Sequence, residues 1–297
     1  MKNLLEEKIL NLKDDAEKQL SKLDFTTESL KDFVDAAKIF SDNLAYVSLG
    51  GNCSYGGGIP AYSDIDVVVV FKDSALQHKD TVKAQISEFI SNYKRFNLAN
   101  GFIPDYVFPG EYVTLGQVQD AIIGRSFKIV PETGSFKIPL LTDSDYLKDY
   151  ERWFQVWLTI NAFSTYVFGD VDLFLRNKLL CWKSFILYLI CEAGLEQLTL
   201  NSVLEKVMSP SLDEFRIDDT YKLFREKEGI YVTAVLDLLE SDEYLKKKEN
   251  VYQVRNSKTD SWKSGILDAA KNGLLSRSPF MFEFREIIGF GNHKYEQ

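Results

Sequence analysis

The sequence predicts an α+β protein: an N-terminal domain with a small mixed β-sheet flanked by helices, and a C-terminal α-helical domain. Three observations predict it. Strand-like runs rich in β-branched and aromatic residues fall in the first half of the 297 residues, as LAYVSL (44–49), DIDVVVVF (64–71) and GFIPDYVF (101–108). Apolar residues at helical spacing surround them, over 3–22, 28–41 and 74–97. Beyond residue 146 long periodic stretches follow one another with turn signals between them and few strand signals.

Each element has its local reason. In 3–22 Leu4, Leu5, Ile9, Leu12, Ala16 and Leu20 recur at helical spacing. The second helix has Thr26 or Thr27 as a cap with Glu28 behind it. The continuous valines of 64–71 predict a strand buried on both faces, hence a central one. Ser74 is the expected N-cap of the helix over 74–97, which lines up Val82, Ile86, Phe89 and Ile90. Pro104 points to the start of the 101–108 strand or to an edge position for it. Residues 109–127 read as a turn, a short extended piece and a helix closed by Gly124. The Pro, Gly, Thr and Ser of 128–145 mark the boundary between domains 1–140 and 141–297. Helices are expected over 146–167, 171–193, 201–208, 213–226, 230–247 and 260–275.

Charge and composition narrow the function. Lys plus Arg number 35 against 44 Asp plus Glu, a net charge of −9, which argues against a large nucleic-acid surface. The acidic balance suits a cationic small substrate and also simple solubility. Cys53, Cys181 and Cys191 show neither metal-like spacing nor a disulfide framework, so a reduced, cytoplasmic setting is expected. The N-terminus MKNLLEEKILNLKDDAEKQL is too charged for a targeting peptide, and LLCWKSFILYLICEAGL is interrupted by Lys183 and Glu192, so no membrane span is expected.

The chemistry concentrates in LGGNCSYGGGIPAYSDIDVVVVF, residues 49–71, with five glycines in nine residues ahead of two aspartates. Glycines cost conformational entropy, and carboxylates beside an apolar run cost solvation. On a strand Asp64 and Asp66 share a face about 7 Å apart and can converge on a pair of divalent ions. Their hard oxygens favour Mg2+ or Mn2+, and a few carboxylates leave coordination positions for substrate phosphates. Glycines let backbone N–H groups approach phosphate oxygens, with Gly50 and Gly51 at the first strand's end and Ser54 and Ser63 as hydroxyl donors. Neither half is specific alone, since a lone Asp-x-Asp is commonly a solvated strand end and a glycine cluster a flexible turn. Their order and spacing together point to a metal–triphosphate site.

Leu49, Gly50 and Gly51, then twelve residues, then Asp64, Ile65, Asp66 and Val67 fit a hydrophobic-Gly-Gly/Ser…Asp-hydrophobic-Asp-hydrophobic pattern. This resembles the signature of the DNA polymerase β-like nucleotidyltransferase superfamily. GGGIPAYSDIDVVVV is most similar to the matching stretch of aminoglycoside adenylyltransferases. The resemblance covers about 28–115 and only loosely the helical half. It implies a third carboxylate on a neighbouring strand, with Asp105 the first candidate by position and Glu111 its rival. It also implies transfer of a nucleoside monophosphate, first of all AMP from ATP, to a hydroxyl of a small molecule such as an aminoglycoside-type antibiotic, with release of pyrophosphate. Two metal ions would be bridged by Asp64 and Asp66, with Asp105 on the catalytic one. The alternative acceptors are a protein or a tRNA. Gly51 stands where many members have Ser, which leaves either Ser54 to supply the hydroxyl or the backbone to suffice.

Such enzymes carry a helical domain whose basic residues reach the triphosphate, and Arg176, Lys178 and Lys183 in GDVDLFLRNKLLCWKSFILYL are the candidates, against solvated positions on an amphipathic helix. Asp170 and Asp172 repeat the Asp-x-Asp spelling and are read as a helix cap. Trp153, Trp157, Phe163 and Trp182 are read as core, and His78 and His293 as too isolated for a site.

Overall fold

The structure, a computed structural model, describes residues 4–105, 109–123, 128–130, 135–137, 158, 160–215 and 218–271. It is an α+β protein. The chain opens with α1 (Leu4–Gln19), α2 (Thr27–Ala37), β1 (Leu44–Leu49), β2 (Val67–Phe71), α3 (Lys79–Ala99), β3 (Glu111–Thr114) and α4 (Leu115–Ile122). A short hairpin β4 (Lys128–Val130) and β5 (Ser135–Lys137) follows, then β6 (Thr165–Gly169) and α5 (Val171–Ala193). The remainder is β7 (Gln197–Leu198), α6 (Leu200–Phe215), α7 (Asp218–Ser241), β8 (Leu245–Lys248), β9 (Val251–Val254) and α8 (Asn256–Lys271). Among the described residues no helix is long and apolar enough to cross a membrane.

The described residues form two compact units. One holds Asp14–Gln117 and Ser164–Phe174; the other holds residues 4–13, 118–163 and 175–271. The predicted boundary at 140/141 lies outside the described residues, as do Gly124, Trp153, Trp157 and His293.

The first unit is built on a mixed sheet of order β3-β2-β1-β6, in which β2 pairs antiparallel with β1 and parallel with β3. The central place expected for the valine run holds: every residue of β2 is buried. Against the sheet lies an aromatic core drawn from α2, α3 and their connections. Phe33 stacks on Phe96 with centroids 4.4 Å apart, and Phe40 meets Phe71 at 5.3 Å and Phe89 at 5.1 Å. Burying several such rings, at roughly 1.5–3 kcal/mol each, supplies the unit with its main cohesion. Thr26 takes the N-cap position of α2 without a side-chain bond to a helix N–H; its own N–H donates to Asn100 Oδ1 at 2.8 Å and its hydroxyl to Ser29 at 2.6 Å.

Four sequence expectations are corrected. The second strand begins at Val67, so Asp64 and Asp66 precede it. α3 begins at Lys79 after a 3-10 turn over Asp73–His78, so Ser74 is not its cap. The third strand is Glu111–Thr114, and residues 102–105 form neither strand nor helix. Pro104 and Pro109 withhold ladder N–H groups, and the positive φ of Gly110 (99°) turns the chain into β3. The half beyond residue 146 is not purely helical. TYVFG (165–169) pairs antiparallel with β1 as the fourth strand, and a hairpin turning at Glu249 and Asn250 joins Gln197–Leu198 in a three-stranded sheet. The β-branched and aromatic run of 165–168 carries period-two content that overrides the helical reading of that stretch.

Candidate active site

Backbone pinning places the carboxylates. Gly50 N–H donates to Asp66 carbonyl at 2.8 Å, extending the β1–β2 ladder by one residue. Asn97, fully buried on α3, accepts Ile65 N–H at 2.7 Å and donates to Tyr93 carbonyl at 3.1 Å. The residue between the two aspartates is thereby tied to a helix, and Ile65 is itself buried while its neighbours are not. The Cys53 thiol donates to Asp64 carbonyl at 3.0 Å, and Tyr93 Oη accepts Asp105 N–H at 3.1 Å. One helix face thus fixes both Asp64–Asp66 and Asp105. Replacing Asn97 with Ala leaves the Ile65 N–H buried and unmatched, which costs about 1–3 kcal/mol in a urea titration.

The glycines act mainly by clearance. A Cβ on Gly51 would stand 1.9 Å from Asp66 Oδ2, and one on Gly58 would stand 2.2 Å from Cys53 Sγ. Gly51 also has φ 59° and ψ −167°, a backbone conformation that L side chains avoid. The expected donor cradle is largely committed elsewhere. The N–H groups of Gly50, Gly56 and Gly57 bond to Asp66, Cys53 and Asn52 carbonyls, and Ser54 Oγ donates to Gly51 carbonyl at 2.8 Å. Ser63 Oγ accepts Ile59 N–H at 3.0 Å, closing the loop's last turn. A hydroxyl from the fourth strand, Thr165 Oγ1, donates to Ser54 carbonyl at 2.6 Å and fixes the loop to the sheet. Gly51→Ala should therefore displace Asp66 and destabilise the unit, read as a lower urea midpoint.

Burial and neighbouring negative charge raise two of the carboxylates. Burial, then the charges of Asp64 and Asp105, push Asp66 up to about 8. Burial, then Asp105, raises Asp64, opposed by a bond from its own backbone N–H. The same charges reach their neighbours: burial, Asp66 and Asp64 push Cys53 up to about 12, and burial and Asp64 raise Tyr93. Cys53 serves as a protonated backbone clamp through its bond to Asp64 carbonyl. Glu111, the rival third acid, opens β3 as a buried residue and acts on Tyr112.

Among the described residues no group of three His, Cys, Asp or Glu stands close enough to hold a metal ion. Asp64 and Asp66 nevertheless feel the charge of Asp105, and Asp66 also that of Asp64. Their hard oxygens, partial burial and mutual repulsion fit a divalent cation of the Mg2+ or Mn2+ kind, which would relieve that repulsion.

Of the three basic candidates only Lys178 departs from both readings. Lys178 is wholly buried, its Nζ 2.8 Å from Glu228 Oε2 and 2.7 Å from Ala162 carbonyl, so it is neither a solvated position nor a group open to a triphosphate. Arg176 pairs with Glu6, and Lys183 pairs with Asp242. Asp170 caps α5 as expected, Oδ1 accepting Asp172 and Leu173 N–H at 3.0 Å each. Sequence reasoning missed Asn97, whose signal is a polar residue four positions after Tyr93 on the buried face of α3. It also missed Thr165, with no strand recognised there. No family model, curated protein or solved structure matches this chain.

Proposed function

We propose that the chain is a metal-dependent nucleotidyltransferase. The observation that supports it is the set Asp64, Asp66 and Asp105, tied through backbone hydrogen bonds to one helix face beside the Gly51 turn, with burial and the charge of Asp105 raising both Asp64 and Asp66. Asp64 and Asp66 would hold the Mg2+ or Mn2+ pair, with Asp105 on the catalytic ion. Bound there, the ions would supply charge stabilisation to the attacking and leaving oxygens. The chain's own part is positioning: Gly51 lets the donor approach Asp66, while Asn97, Cys53 and Tyr93 hold the acids in place. An acceptor hydroxyl attacks the α-phosphorus of a nucleoside triphosphate, ATP first, and pyrophosphate leaves. Asp105 is the group to take the hydroxyl proton.

The resemblance favours a small-molecule acceptor, an aminoglycoside-type antibiotic first, in the cytoplasm and in a role in antibiotic resistance. Nucleotide binding is the decisive test. Calorimetry with ATP, GTP, CTP and UTP should give an affinity that appears only with Mg2+ or Mn2+ and is absent in Asp66→Asn. Affinity for no triphosphate under either metal would refute the proposal.

A further inference from the structure

The fourth strand is irregular where it passes the Gly51 turn. β6 pairs with β1 as Val47↔Phe168, then as Ser48↔Tyr166 and Leu49↔Thr165, so Val167 is an extra residue on β6, a β-bulge. Residues directly opposite in an antiparallel pair point to one face, which puts the Thr165 side chain on the face of Leu49. A regular ladder continued from Val47↔Phe168 would set Thr165 against Gly50, with its side chain on the other face. The loop after β1 folds onto the face of Leu49, because Leu49 and Cys53 belong to one buried cluster. The bulge therefore aims the Thr165 hydroxyl at that loop, where it meets Ser54 carbonyl at 2.6 Å across 111 residues of sequence.

From Ser54 the path to the carboxylate is short. Ser54 N–H donates to Gly51 carbonyl at 3.2 Å, and its hydroxyl donates to the same carbonyl at 2.8 Å. Gly51 in turn lies so close to Asp66 Oδ2 that a Cβ would not fit between them. Thr165 and Ser54 are both fully buried, so their bonds are not exchanged for bonds to bulk water. Val would fill the place of Thr165 equally well on a strand; the hydroxyl is there for the loop.

We propose that Thr165 is a positioning residue of the nucleotide site. Its hydroxyl holds the Gly51 turn against Asp66 and so sets where that carboxylate stands toward the metal–triphosphate. The inference rests on the nucleotidyl-transfer reading, and it extends the site from the loop and its aspartates to a strand that follows residue 164.

The test is calorimetry on the full chain with Mg2+ and whichever of ATP, GTP, CTP and UTP binds the wild type most tightly, well below each variant's melting midpoint. Thr165→Val should weaken that affinity about tenfold, and Thr165→Ser, which restores the hydroxyl, should stay within about twofold of wild type. Phe40→Leu, a core substitution where Phe40 packs on Phe71 and Phe89, should lower the urea midpoint of the same unit and leave the affinity at the wild-type value. Wild-type affinity in Thr165→Val overturns the positioning role and leaves nucleotidyl transfer standing. So does a loss that Thr165→Ser fails to recover, or one that Phe40→Leu reproduces, since either would mean that Thr165 acts through stability alone. Absence of metal-dependent affinity in the wild-type chain overturns both readings.

Discussion

Asp66→Asn should lower nucleotidyl transfer by about a thousandfold or more while the metal-free chain melts no lower than wild type at pH 8. The first effect follows because a neutral amide withdraws one charge from the ions that would stabilise two oxygens in the transition state, a loss of several kcal/mol. The second follows from the sign of the Asp66 shift. Its folded-state pKa, pushed up to about 8, lies above the ordinary carboxylate value of 3.8. Ionised Asp66 therefore opposes folding, by an amount absent below the ordinary value and growing as pH rises to about 8. Asn removes that opposition, with its gain largest at pH 8 and above. Solvent access and coupling to Asp64 and Asp105 discount it to about 2 kcal/mol, a few degrees in Tm. Pyrophosphate release and thermal melts on one preparation separate the two effects. A variant that loses transfer and also melts well below wild type at pH 8 would make Asp66 a structural residue.

Much of the first unit is legible in the sequence because its signals are local. LAYVSL becomes β1 residue for residue, and the valine run becomes the buried central strand. Asp64 and Asp66 are identifiable from spelling, but the geometry that raises their proton affinity is not. It depends on Asn97, 32 residues from Ile65, and on Tyr93, 12 residues from Asp105. The third carboxylate is open between Asp105 and Glu111 at the level of sequence, since both precede extended backbone. In space Glu111 opens the strand beside β2, whereas Asp105 lies on no strand but is the one whose charge reaches Asp64 and Asp66. The fourth strand escapes because a strand of five residues beside a 23-residue helix takes its identity from pairing with β1, 118 positions earlier at Ser48↔Tyr166. Lys178 reads as a surface cation because nothing near it in sequence shows that its partner, Glu228, is 50 residues away.

Glu228 carries the second large expectation. It is fully buried and accepts Lys178 Nζ on both oxygens at 2.9 and 2.8 Å and Trp182 Nε1 at 2.9 Å, with Lys227 Nζ 3.0 Å away. Around it Trp182 and Phe163 pack with centroids 4.8 Å apart, and Lys178 lies 4.4 Å over the Tyr231 ring. Glu228→Gln keeps the shape and an acceptor oxygen but removes the charge that balances the buried ammonium groups. The expected loss is about 3–5 kcal/mol, read as a lower urea midpoint. Lys227 supplies an independent check. Burial, assisted by Lys178 and opposed by Glu228, pushes it down from 10.5 to about 7. Charged Lys227 thus opposes folding below pH 7, and stability rises with pH between about 7 and 10.5 as the folded state releases its proton while the unfolded chain keeps it. Lys227→Met deletes that titration, so the difference in unfolding free energy between wild type and variant should grow in favour of wild type from pH 7 to 9. Glu228→Gln/Lys227→Met should in turn recover part of the loss, because one of the buried cations goes with its partner. Wild-type and Lys227→Met profiles that run parallel, with no recovery in the double variant, would show that Lys227 meets water and that Glu228 holds the unit by its hydrogen bonds alone.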